Sequence, residues 1–250
     1  MLFRTIRDDA DDIFCKLPPP VASREVHAGS AAGGGSSRPI YASSSGSATT
    51  VRDLPPVNMA SFNRADNPCF HAQARVLLAD GMSSRAACEV KKGDEVFGGN
   101  RVACVLRTEC VQGEASLVSL PGGLLVTPWH PVRLEGKWVF PADIAAPRML
   151  PCPAVFSFLV EKPSATGRFA SEITIDGVPC ATLAHGVAND AVLSHAFFGT
   201  TLVVDALKAC KGWEQGLVSL SRSTSSQVLR RDEKTGLVCG LVQAQELILA

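Results

Sequence analysis

Residues 124–134 read Leu124-Leu125-Val126-Thr127-Pro128-Trp129-His130-Pro131-Val132-Arg133-Leu134. Two short apolar runs, Leu124–Thr127 and Pro131–Leu134, flank a turn that carries prolines at 128 and 131. A proline inside a helix removes a backbone donor and clashes with the preceding turn, so this stretch is not one helix. Short runs rich in Val and Leu, bounded by turn residues, read as β-strands. The same texture spreads outward. Upstream lie Arg75–Ala79 before Asp80-Gly81, then Arg101–Arg107, then Ser116–Leu120 before Pro121-Gly122-Gly123. Downstream lie Trp138–Phe140, Ala154–Val160 and Ile173–Leu183. Gly93-Asp94 and Gly98-Gly99-Asn100 fit tight turns that need positive φ. Only Thr201–Cys210 has helical spacing, with Leu202, Val203, Ala206, Leu207 and Cys210 on one face. The expected architecture is mainly β, with a small C-terminal α/β extension.

Composition divides the chain further. Between Gly29 and Thr50, 16 of 22 residues are Gly, Ser or Ala, too little apolar surface to offset the entropy of ordering them. Residues 1–68 therefore read as a flexible arm, with one helical turn near Asp8–Lys16. The ordered body is expected over 69–200 and the helix–strand extension over 201–250. The 250 residues carry 24 Lys plus Arg against 24 Asp plus Glu. That balance argues against broad electrostatic binding to nucleic acid or an anionic membrane. No run approaches the ~18 apolar residues of a membrane span. The start, Met1 to Asp9, has no apolar signal core, so a cytoplasmic location is expected. Of nine cysteines at irregular spacing, none in a CxxC pair, most read as buried thiols in a reducing compartment rather than a disulfide or zinc framework, with one or two at most reactive.

Two places carry chemistry. Pro68-Cys69-Phe70 stands where the arm meets the body, and Thr127-Pro128-Trp129-His130 ends an apolar strand. A thiol acts as a nucleophile at neutral pH when a base or an electropositive site takes its proton, and an imidazole can do so. Each residue also has a plain structural reading: Cys69 as a buried thiol, His130 as a core histidine bonded to backbone, Thr127 as a strand residue. His185 and His195 with Cys152 and Cys180 match no common zinc spacing and read as packing. Lys91-Lys92-Gly93-Asp94 reads as a solvated hairpin turn, since no GxxxxGK[ST] occurs.

At these residues the chain resembles a Hint domain, the self-processing module of hedgehog C-terminal domains and inteins, and most closely its Vint variety. The stretches that carry the likeness are Asn67-Pro68-Cys69-Phe70, Ala74–Gly81, Val90–Val96 with its Gly93-Asp94 turn, and Leu125–Val132. Ile175–Val178, Thr182–Gly186 and His195–Thr200 add to it. The resemblance implies a horseshoe of curled strands and a nucleophilic Cys69. The Cys69 thiolate would attack the Pro68 carbonyl and convert the amide to a thioester. His130 would protonate the departing nitrogen, and Thr127 would hydrogen-bond near the scissile peptide. His185 is a candidate second imidazole. No cofactor or metal is implied, and the substrate would be the chain's own N-terminal segment.

The chain departs from hedgehog domains and inteins in three ways, one being that Pro68, with its bulk and fixed φ, precedes the cysteine, which slows attack on its carbonyl. Hedgehog domains activate cholesterol with an aspartate, where this sequence offers only Glu109 in Val105–Cys110, so sterol transfer is not expected. Inteins end in His-Asn before Cys, Ser or Thr, a pattern missing before Ala250, so single cleavage is expected rather than full splicing. Two other classes stay open: a silent Hint-fold scaffold with an unidentified protein partner, and an unrelated cysteine hydrolase.

Overall fold

The computed structural model describes residues 68–162, 169–221 and 228–242. Apart from Pro68, the segment expected to form an arm, with the helical turn expected near Asp8–Lys16, lies outside the described residues. The first strands are β1 (Phe70–His71), β2 (Arg75–Leu77), β3 (Ser84–Ala86) and β4 (Glu95–Val96). The long β5 (Asn100–Glu109) follows, then β6 (Glu114–Ser119), β7 (Leu125–Val126), β8 (Val132–Leu134) and β9 (Lys137–Val139). A one-turn helix, α1 (Pro141–Ile144), leads to β10 (Arg148–Pro151), β11 (Ala154–Glu161), β12 (Glu172–Ile175) and β13 (Val178–Ala181). The helix α2 (Thr201–Lys208), β14 (Leu217–Leu220) and the pair β15 (Leu229–Arg231) and β16 (Val238–Leu241) complete the order.

The fold is mainly β. The strands form one sheet in the order β10-β6-β7-β1-β11-β5-β14, with β4 added to β5, and a second in the order β3-β2-β12-β13-β8-β9. Neither sheet closes on itself. The backbone of the first is the antiparallel β5–β11 pair, which runs from Ala154↔Glu109 to Glu161↔Arg101 with a bulge at Leu159/Val160.

Strand β11 is buried over its first seven residues because both of its faces are covered. Successive side chains alternate between faces. Phe156, Phe158 and Val160 enter the largest core with Phe70, Val105 and Val118. Val155 enters a small cluster with Cys69 and Cys152, and Leu159 meets Leu106, Leu207 and Val218 in the core under α2. Ser157 lies on the Val155–Leu159 face, at the seam between these two packed regions.

Two readings from the sequence are corrected. Ile173–Leu183 is not a single strand: Asp176 and Gly177 take φ of 48° and 77°, a two-residue hairpin turn that pairs Ile175 with Val178 and separates β12 from β13. In α2 the buried face is Val203, Val204 and Leu207, whereas Leu202 is 56% exposed. Leu202 sits in the first turn beside the Thr200 cap, whose hydroxyl accepts from the Leu202 N–H, so its side chain points past the rim of the core. Lys91–Asp94 is a turn, with Gly93 at φ 91°. Asp94 closes it by accepting from the Lys91 N–H at 2.8 Å and pairing with Arg85.

Candidate active site

Strand β1 has two residues but is paired on both sides. Phe70 faces Phe156 of β11 and Val126 of β7, both antiparallel. Extending each register by one residue sets Cys69 between Ser157 and Thr127. The side chains follow that geometry. The Cys69 N–H donates to Thr127 Oγ1 at 2.8 Å, and the Thr127 N–H donates to the Cys69 carbonyl at 2.9 Å. On the other flank, the Ser157 hydroxyl donates to the Pro68 carbonyl oxygen, and its Oγ lies 3.1 Å from Cys69 Sγ. Both ends of the Pro68–Cys69 peptide are thus held by hydroxyl groups, and Cys69 has no exposed surface.

After Thr127 the chain turns back on itself. The His130 N–H donates to the Thr127 carbonyl at 3.2 Å, and the Ala142 N–H of α1 donates to the Pro128 carbonyl at 3.0 Å. Trp129 packs edge-on against Phe140, with ring centroids 5.6 Å apart. This clamp lays the His130 ring on Phe70 at 4.1 Å between centroids, where the imidazole is 2% exposed. Its Nε2 is 2.9 Å from the Ala181 carbonyl of β13, an acceptor only, so Nε2 carries the proton and donates. Nδ1 then holds the lone pair, and it is buried with no hydrogen bond of its own. Burial pulls the His130 pKa down to about 4, against the opposing pull of the Ala181 and Pro68 carbonyls; His185 lowers it further. The Pro68 carbonyl is therefore close enough to favour a protonated ring without making an aligned bond to it.

His130 also borders a narrow cavity shared with Pro68, Ser157, His185, Leu193 and His195. His185 Nδ1 accepts from the Val187 N–H at 3.1 Å. His195 Nδ1 accepts from the Phe197 and Phe198 N–H groups, each at 3.0 Å. Accepting at Nδ1 leaves both neutral rings protonated on Nε2. Burial lowers both pKa values, that of His195 to about 4, with His185 and Arg231 adding to the effect. Gly199 permits this packing, because a Cβ there would stand 2.9 Å from His185 Cε1 and from the His195 carbonyl oxygen.

Of the residues singled out from sequence, Cys69, Thr127, His130 and His185 all converge on Pro68. The set His185, His195, Cys152 and Cys180 is scattered, since Cys180 and Cys152 belong to separate core clusters. Among the described residues no His, Cys, Asp or Glu group has the arrangement of a metal site. Glu109 is engaged with Arg107 at 3.2 Å and accepts from Ser221. Ser157 was not foreseen. Its only sequence signal is a single hydroxyl inside the apolar run Ala154–Val160.

A cysteine-led strand with a T-x-x-H turn against it, on open curled sheets, defines a Hint domain. Residues 68–240 match the Vint model, described as a Hint-domain, and the chain belongs to that family. Among curated proteins none matches. Two similar solved structures are the gp41-1 intein and a DnaB intein from Synechocystis sp. PCC 6803. The first is 10% identical, with a TM-score of 0.35, and the match covers 46% of this chain and 99% of that one. The second is also 10% identical, with a TM-score of 0.31 and the same two shares of coverage.

Proposed function

We propose that the chain cuts its own backbone at the Pro68–Cys69 bond by an N-to-S acyl shift, followed by a single release of the segment that ends at Pro68. The observation that carries this reading is the opposed hold on one peptide: Thr127 Oγ1 on its N–H and the Ser157 hydroxyl on its carbonyl oxygen.

In this reading Cys69 Sγ attacks the Pro68 carbonyl carbon. The thiol proton goes to His130 Nδ1, the one ring nitrogen with a free lone pair. The Ser157 O–H bond to the carbonyl oxygen strengthens as negative charge builds there; a preorganised donor of this kind contributes on the order of 10²–10³ in rate. Collapse breaks the carbon–nitrogen bond. The proton on His130 then passes to the Cys69 nitrogen, already fixed by Thr127. Protonating His130 in this buried site costs about 3 kcal/mol more than in water. The imidazolium is correspondingly quick to give the proton up. The products of this step are a thioester at Cys69 Sγ and a free Cys69 amine.

A hydrolase acting on other chains requires an open cleft beside its nucleophile, and Cys69 is fully buried. An intramolecular substrate needs no such access. The test is to purify the chain and its Cys69→Ala variant, incubate both with dithiothreitol or hydroxylamine, and measure intact masses. The wild type is expected to give two fragments, one ending at Pro68 and one beginning at Cys69, while the variant stays whole. A wild-type mass unchanged after days would instead identify a silent scaffold.

A further inference from the structure

The cavity beside the scissile carbonyl bears on what resolves the thioester. Its walls include Pro68, His130, Ser157, His185, Leu193 and His195, and the centre of a water molecule can occupy about 20 Å³ of it. By that measure one water takes roughly 10–15 Å³, so there is room for one. A water bound inside a protein needs two to four polar partners. Here His130 contributes a buried, unbonded Nδ1 acceptor, and the residue is 2% exposed. His185 contributes a donor on Nε2, because its Nδ1 is already committed to the Val187 N–H, and the Leu193 carbonyl beside the same ring adds an acceptor. Gly199 keeps that ring in place at the cavity wall, since any larger residue would push against His185 Cε1 and Nε2.

Building on the acyl shift above, we propose that this cavity binds the second nucleophile, a single water held between His185 and His130 Nδ1, and that the thioester is hydrolysed. The water oxygen bonds to the Pro68 carbonyl carbon, and His130 Nδ1 takes its proton. The carbon–sulfur bond breaks, and the proton returns from His130 to the Cys69 thiolate. Pro68 leaves as a carboxylic acid and Cys69 is a thiol again. His130 thus serves in both halves: it passes the thiol proton to nitrogen in the first and the water proton to sulfur in the second.

The test compares the full chain with His185→Asn and with Leu193→Phe, which fills the cavity from its apolar wall. Thioester content is read by unfolding each protein into hydroxylamine, which cleaves thioesters and spares amides. Hydrolysis is read as fragment release by the folded chain with no added nucleophile. Leu193→Phe is expected to keep its thioester content within about two-fold, and both variants to hydrolyse the thioester they hold about ten-fold or more slowly, the loss of a positioned acid–base pathway. Added to the folded wild type, hydroxylamine is expected to capture the thioester, and O-benzylhydroxylamine is not. Unchanged hydrolysis per thioester in both variants, loss of thioester itself in both, or equal capture by the small and bulky reagents each overturns the water site. A wild type with no Cys69-dependent thioester at all removes the acyl shift, and the water site with it.

Discussion

Ser157 Oγ stands 3.1 Å from Cys69 Sγ while its proton goes to the Pro68 carbonyl oxygen, so one hydroxyl touches both the sulfur and the oxygen of the carbonyl it would attack. Register alone produces this contact. Phe70 pairs with Phe156, and the next step along the ladder brings Cys69 to Ser157. Replacing Ser157 by alanine removes the donor and little volume. The lost hydrogen bond is expected to cost about 0.5–1.5 kcal/mol of stability. Cleavage is expected to slow by on the order of 10²–10³. Fragment release in hydroxylamine measures the second effect and urea unfolding the first. Wild-type cleavage in Ser157→Ala would reduce this residue to packing.

Thr127 acts on the opposite end of the same peptide. Its Oγ1 accepts from the Cys69 N–H at 2.8 Å, and Cys69 itself has no exposed surface. Thr127→Val keeps the shape but leaves that amide unsatisfied, which is expected to cost about 1–3 kcal/mol. Thr127→Ser keeps the oxygen and should recover most of it. Urea denaturation of both variants checks this; equal stability of Val and Ser would show that the hydroxyl does nothing for the fold.

How much of this was legible depends on the range of the interaction. The turn Thr127–His130 is local, and its prolines and imidazole can be read directly. Cys69 and Thr127 carry chemical identity that points to a site, although 58 positions separate them. Ser157 is different. A serine in an apolar strand is ordinary until the register of two other strands is known, and β1, only two residues long, is too short to announce itself. The turn at Asp176-Gly177 illustrates the converse: a Ile173–Leu183 run that looks continuous hides a hairpin because two positive φ values fit within its polar break. For α2, spacing alone gives a face one position out of place: Val204 rather than Leu202 joins Val203 and Leu207 in the core.

The thiols should separate by reactivity. Cys239 is exposed, whereas Cys69, Cys104, Cys152 and Cys180 have no accessible surface. Burial pushes the Cys104 pKa up to about 11 and raises that of Cys180. For Cys152 the neighbouring Cys110 and burial act in the same direction. Since the thiolate is the reactive form, iodoacetamide is expected to label the Cys239 peptide of the folded chain well before those of Cys104, Cys152 and Cys180. Peptide mapping after brief alkylation reads the order. Rapid labelling of Cys69 in the folded state would mean that solvent reaches the nucleophile, against its burial in the β1 position.

Acid should unfold the protein through its histidines. His130 and His195 each have a folded pKa of about 4 against an ordinary value of 6.5, chiefly because burial disfavours the charged ring. Between those two pH values the unfolded chain binds protons that the folded chain refuses. The stability tied to the neutral rings is therefore complete above about pH 6.5 and is lost as pH falls toward 4. Each ring accounts for about 3 kcal/mol by pH 4. Two together approach the whole stability of an ordinary domain, roughly 5–15 kcal/mol. His185 and His71, also lowered by burial, push the same way. His195→Asn keeps an acceptor for the Phe197 and Phe198 N–H groups and removes one titrating ring, so its stability should fall less steeply with acid than the wild type's. Urea midpoints measured from pH 7.5 down to 4.5 give the two slopes; identical slopes would place the acid sensitivity elsewhere than in the buried imidazoles.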